Sequence, residues 1–238
     1  MRRRYLLAGT AILLAGTARA AIIKGELPWR PNTGGPPAPV DPAGLQFLMP
    51  EEAAVLGVLA DRIIPADSLS PGGRDMGCVV FIDRQLAGPF GRAEGLYMRP
   101  PFADPLPTQG QQSPLTPAAR YRAGLAGLAR HVRLAFAGRE LSELPDADVD
   151  ALLSGMESGV IQFPDTSARA FFDLVLTNMK EGFLSDPVYG GNRNMAGWAM
   201  LGFPGARYDY RDWITRHNQP YPLPPVGIRG RSGWKDGH

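Results

Sequence analysis

Residues 167–183 read SARAFFDLVLTNMKEGF, and this stretch decides the fold. Phe171, Phe172, Val175, Met179 and Phe183 recur at nearly four-residue intervals, which places them on one face of an α-helix. The pattern repeats on either side. A helix over about Asp146 to Ser158 turns Val149, Leu152, Leu153 and Met156 inward. A longer one opens at Thr116, a capping residue, with Pro117 in its first turn. It runs to about Phe136 with Tyr121, Leu125, Leu128, Val132 and Phe136 on one face. Further upstream, Pro50 to Ile64 starts with a first-turn proline and with Glu51 and Glu52 at the positive end of the helix dipole. Its apolar face is Val55, Leu56, Leu59 and Ile63, and Pro65 ends it. Cys78, Ile82 and Leu86 mark a helix over about Arg74 to Leu86, closed by Gly88, Pro89 and Gly91. Short helices are predicted at Met195–Leu201 and Asp209–Arg216. Period-2 alternation and solenoid-length repeats are missing. The predicted class is all-α: an irregular helical domain of about five to seven helices with long, ordered loops rich in Gly, Pro and aromatics.

Two of those loops stand out. Residues 89–115 are rich in Gly and Pro, carry Tyr97, Met98 and Phe102, and contain the Gln-rich piece 109–112. A loop of that length in a compact domain is usually functional or disordered, and the aromatics argue against plain disorder. The second is Asp186 to Trp213, DPVYGGNRNMAGWAMLGFPGARYDYRDW. With its flanks, residues 183–221 hold eight of the chain's 21 aromatics. Gly190 and Gly191 permit positive φ, and Pro204-Gly205 marks a turn. Tyr and Trp give large contact areas with few rotors to freeze, which suits an interface. The same residues also suit the closing of the protein's own core. The candidate partner interface is Tyr189, Gly190, Gly191, Asn192, Arg193, Trp198, Phe203, Pro204, Tyr208, Tyr210 and Trp213.

The N-terminus has the form of an export signal. Arg2, Arg3, Arg4, Tyr5 and Leu6 open a mild apolar run, and Ala18 and Ala20 flank Arg19 as a cleavage motif before Ala21. The apolar run is too short to span a bilayer, which takes about 20 residues. Gly9, Thr10 and Gly16 dilute it, favouring a twin-arginine signal over a plain secretory one. Cleavage after Ala20 removes four arginines and no acid, so the formal charge of +2 becomes −2. The basic character therefore belongs to the signal and gives no reason to expect nucleic-acid binding. The expected organisation is a signal over 1–20, a Pro/Gly-rich extended arm over 21–45, and a single helical domain over 46–238. Cys78 is the only cysteine and sits in an apolar stretch, as a buried small hydrophobe would.

Catalytic signatures are missing. The chain has no dinucleotide-binding glycine pattern, no Walker A motif, no nucleophile elbow and no C-x-x-C-H haem site. His131, His217 and His238 form no helical i, i+4 pair for zinc. His131 is expected to be structural or superficial, His217 to help cap a short helix, and His238 to be frayed. Asn178 and Glu181 are the polar residues expected to be partly buried, satisfying the backbone of the loop that follows.

Four stretches carry a resemblance: ADRIIPAD (60–67), FIDRQLAGPFGRAEGLYM (81–98), NMKEGFLSDPVYGGNRNMAGWAMLGFPGARYDYRDWI (178–214) and YPLPP (221–225). Together they resemble the gluconate 2-dehydrogenase subunit 3 family, the small subunit of membrane-associated flavin-dependent sugar and sugar-acid dehydrogenases. Two positions depart from the family's habit: Met49 stands where Thr often precedes Pro50, and Leu144 where Ser often precedes Pro145. Each change would weaken a helix cap by about 1 kcal/mol. The resemblance implies a large subunit carrying FAD, a multihaem cytochrome c subunit passing electrons to quinone, and a small subunit with no cofactor, metal or catalytic residues. The small subunit would support assembly, stability and export of the large one in the periplasm, at the inner membrane, with the twin-arginine translocase as a transient partner. The alternative is an independent periplasmic binding or scaffold protein with an aromatic groove.

Overall fold

The computed structural model describes residues 38–103, 106, 113–207 and 210–230. Six α-helices make up the described architecture: α1 (Pro50–Ile63), α2 (Cys78–Ala87), α3 (Pro117–Ala135), α4 (Asp146–Glu157), α5 (Ala168–Leu184) and α6 (Ala196–Leu201). The class is all-α, as the periodicity indicates. Pairing of the β type is confined, among the described residues, to isolated bridges, Gly205 with Val226 and Gly227 with Gly230. The export signal, most of the proline-rich arm, Tyr208 and His238 lie outside the described residues.

Helix α5 is the hub and packs against each of the other five. Ser167 caps it, its Oγ accepting from the Ala170 N–H at 3.2 Å, and Thr116 does the same for α3 through the Ala119 N–H at 3.2 Å. The inward face is the one read from the sequence: Phe171, Phe172, Val175, Met179 and Phe183 are all buried. Close approach of α3 to α5 depends on Gly124. A Cβ there would stand 2.1 Å from the Phe171 ring, which also meets Tyr121 edge-on with centroids 5.8 Å apart. Buried Tyr121 satisfies its hydroxyl by donating to Asn178 Oδ1 at 2.9 Å.

The second organising feature is a pair of adjacent charges on α2. Asp83 is fully buried and accepts from the backbone N–H groups of Gln46, Phe47 and Leu48 at 2.9, 3.0 and 2.8 Å. Arg84 pairs with that carboxylate and donates to the carbonyls of Asp41, Ala43 and Gly44. The two side chains thus hold the non-helical run 41–48 on both its donor and acceptor sides, and so set where α1 begins. Arg122 of α3 adds a second tie. It bonds the Phe47 carbonyl and Glu52, and its guanidinium lies 4.1 Å from the Phe47 ring centroid.

Several expectations are corrected. The helix predicted from Arg74 starts at Cys78, because Gly77 is left-handed at φ 82° and a Cβ there would lie 2.5 Å from the Gly190 carbonyl oxygen. Arg74 instead pairs with Asp61 at 3.0 Å. Leu144 is not a failed cap: Pro145 takes the cap position of α4, and Leu144 is buried in the core. Met49 does cap α1 without a side-chain bond, but Glu52 accepts its N–H at 2.8 Å and restores half of a reciprocal box. The helix predicted over Asp209–Arg216 reduces to a 3-10 turn at Arg211–Trp213, leaving exposed His217 no helix to cap. Glu181 is exposed, and Asn178 serves Tyr121 and Glu181 rather than the following loop.

Replacing Asp83 by Ala leaves Arg84 without its carboxylate and three N–H groups without an acceptor. Unfolding free energy from urea titration is expected to fall by about 3–5 kcal/mol. A change under about 1 kcal/mol would show that the run 41–48 is held by other means.

Candidate functional site

A helix leaves its last carbonyls without intrahelical donors. At the C-terminus of α5 the glycine- and aromatic-rich segment supplies them. Trp198 Nε1 donates to the Leu184 carbonyl at 2.7 Å, Asn192 Nδ2 to the Ser185 carbonyl at 2.9 Å, and Ser185 Oγ to the Gly182 carbonyl at 3.2 Å. Asn192 Oδ1 also accepts the Gly197 N–H at 2.9 Å, which fixes the start of α6. The glycines are there for contact: a Cβ on Gly191 would sit 2.0 Å from the Gly182 carbonyl oxygen, and one on Gly190 would sit 2.8 Å from Val40. Asn192, Asn194 and Met195 all take positive φ, a run of conformations that bulky residues seldom adopt.

This geometry divides the candidate residues. Gly191, Asn192 and Trp198 are buried and serve the protein's own packing. Tyr189, Arg193 and Phe203 are exposed, while Gly190 and Pro204 are half-buried. Tyr210 and Trp213 are also half-buried and form a separate cluster around Tyr221, with ring centroids 5.8 and 5.1 Å away. Burial, with Tyr221 adding, pushes the Tyr210 hydroxyl above its ordinary range, and this hydroxyl donates to the Gly205 carbonyl at 3.2 Å. Arg207 lies over Tyr221 at 5.2 Å and Arg216 over Trp213 at 4.6 Å.

The outward surface includes residues that the sequence reading passed over. Ala199, Met200, Leu201, Gly202 and Phe203 are consecutive and exposed, with Leu201 at 60 % and Phe203 at 46 %. Phe203 packs edge-on against Trp198, centroids 5.2 Å apart, so the exposed ring stands on a buried one. The signal in the sequence was the brevity of α6: a six-residue helix that turns Ala196, Gly197 and Trp198 inward leaves Met200 and Leu201 outside. Beside it runs a groove of about 700 Å³, lined by Pro187, Val188, Met195, Ala199, Pro224 and Pro225 together with Asp186, Asn194 and Arg229.

Among the described residues no group of three His, Cys, Asp or Glu side chains is placed to hold a metal, and no helix is long and apolar enough to cross a membrane. His131 is half-buried beside Arg130 in a small hollow of about 340 Å³, with no carboxylate lining it to orient the ring as a base. The candidate site is thus a surface beside α6. The sequence matches the family described as Gluconate 2-dehydrogenase subunit 3 over residues 50–205, well over half of the 238-residue chain.

The chain belongs to the gluconate 2-dehydrogenase subunit 3 family. The match ends at Gly205, so it covers all six helices and the exposed apolar run but not the aromatic cluster around Tyr221. Membership in a family of third subunits implies partner subunits. No curated protein and no solved structure matches the chain.

Cys78 of this subunit 3 chain is buried, and burial pushes its thiol from 9.0 up to about 12. Below pH 9 both folded and unfolded chains keep the proton. Between about 9 and 12 the unfolded chain loses it first, so stability falls as pH rises. Buried Tyr121 acts in the same direction. Urea midpoints are expected to drop between about pH 8 and pH 10.5. At neutral pH, Cys78 should resist iodoacetamide until the protein is unfolded, and rapid labelling of the native chain would contradict its burial. Trp198→Ala removes a buried ring and the Leu184 cap together. It should cost about 3–5 kcal/mol, read by thermal or urea unfolding.

Proposed function

We propose that this chain is the cofactor-free small subunit of a periplasmic, membrane-associated flavin-dependent dehydrogenase of the gluconate 2-dehydrogenase type. Its work is to assemble and stabilise the FAD-containing large subunit and to escort it through the twin-arginine translocase. A multihaem cytochrome c subunit then takes the electrons, with or without touching this chain. The observation that carries the reading is the exposed apolar run Ala199–Phe203, set on a segment whose Asn192 and Trp198 are spent on internal packing. A contiguous apolar surface of this kind on a family of subunits calls for a partner to cover it. The arginines at positions 2–4 and the mild apolar run after them support export as folded cargo.

Two measurements test this. Leu201→Asp places a charge in the centre of the exposed run without touching the core. It should lower affinity for the flavoprotein at least about tenfold, the size of a lost hot-spot contact, while leaving the melting temperature nearly unchanged. Unchanged affinity would remove the run from the interface. Substituting Lys for Arg2, Arg3 and Arg4 should leave both subunits in the cytoplasm. A large subunit that still reached the periplasm would sink the escort role.

A further inference from the structure

The described chain beyond Gly205 has a form of its own. Residues 210–230 contain no α-helix and return across the segment that precedes them. Their attachment is specific. Val226 is buried, accepts the Ala206 N–H at 2.7 Å and donates to the Pro204 carbonyl at 3.3 Å. Arg207 donates to the Pro224 carbonyl at 2.7 Å. The longest-range tie is made by Asp186. One carboxylate oxygen accepts the Val188 N–H at 2.9 Å and the other accepts the Ile228 N–H at 2.7 Å. Gly227 lets the chain come this close, since a Cβ there would stand 3.3 Å from both oxygens.

This attachment shapes surface next to α6. The groove of about 700 Å³ is lined by Asp186 itself and Val188, and, from residues 210–230, by Pro224, Pro225, Gly227 and Arg229. Ala199 belongs both to the groove and to the exposed apolar run, so the two are one continuous surface. Aliphatic and proline residues line the groove together with Asp186, Asn194 and Arg229. Asp186 has both oxygens committed to backbone N–H groups, and it is the groove's continuity with the exposed apolar run that suits both to one partner.

We infer that residues 210–230 are a strap latched by Asp186, and that the strap completes the docking surface by lining a groove for an extended segment of the same flavoprotein subunit that covers the apolar run 199–203. This rests on the function proposed above, with Asp186 acting as a positioning residue. The experiment uses the full chain co-expressed with the large subunit, captured through a tag on the flavoprotein and scored by its flavin absorbance. Two variants break the latch from opposite sides: Asp186→Ala removes the acceptor, and Ile228→Pro removes the donor. In both, amide exchange over residues 226–230 should accelerate at least tenfold while exchange in α3 and α5 stays slow, and flavoprotein affinity should fall severalfold. Asp186→Asn keeps one acceptor oxygen and should fall between wild type and Ala in both readouts. Unchanged exchange at 226–230 would overturn the latch. Faster exchange with unchanged affinity would overturn the strap's part in docking. If the wild-type chain itself fails to co-purify with the flavoprotein, the underlying function and the docking role fall together, a result seen before any substitution is compared.

Discussion

Asp83 and Arg84 place opposite charges side by side in the interior, and the rest of the structure is arranged so that neither is left unsatisfied. Their own pairing is not sufficient, because desolvating two ions costs more than one contact returns. The remaining lone pairs and N–H groups are met by the backbone of residues 41–48. This makes an irregular stretch as determined as a helix. It fixes the direction in which the chain enters α1 and the face of α2 that meets α5. Few apolar contacts could do this, since hydrophobic burial is non-directional and tolerates sliding. The charged pair adds direction to a core otherwise built from Leu, Val, Met and Phe.

The same division of labour appears at the other end of the hub helix. Side chains that look conspicuous in the sequence, Trp198 and Asn192 among them, close the C-terminus of α5 by hydrogen bonding to it. The less conspicuous Met200 and Leu201 are left outside. The exposed apolar run is thus held up by polar bonds beneath it, and the side chains that make those bonds need not touch anything that docks on the run. Loss of binding on mutating a buried aromatic and loss on mutating an exposed aliphatic would have different origins, one in the platform and one in the contact.

Helices α1, α3, α4 and α5 were legible within a residue or so, because their signals are local. Thr116 and Ser167 cap them, Pro50 and Pro117 sit in first turns, and a four-residue period marks the buried face. The errors share a cause in distance along the chain. Gly77 ends the prospects of an earlier start to α2 because of a carbonyl at Gly190. The role of Asp83 depends on amides 35 to 37 residues away, and that of Asp186 on one 42 residues away. Nothing near those aspartates announces such partners. In the candidate site, composition drew attention to the segment but could not sort its inward from its outward residues. Sorting depends on which side chains reach the end of α5, a property of the assembled fold.

The groove beside α6 brings together two distant parts of the chain: Pro39 and Gly230 both line it. The beginning and end of the described fold are therefore neighbours in space. The helical domain is in this sense nearly a closed ring, with its seam at the groove. A short linker joining those ends, with new termini opened at the exposed turn at Ala137 and Gly138 after α3, would reorder the chain without cutting a helix.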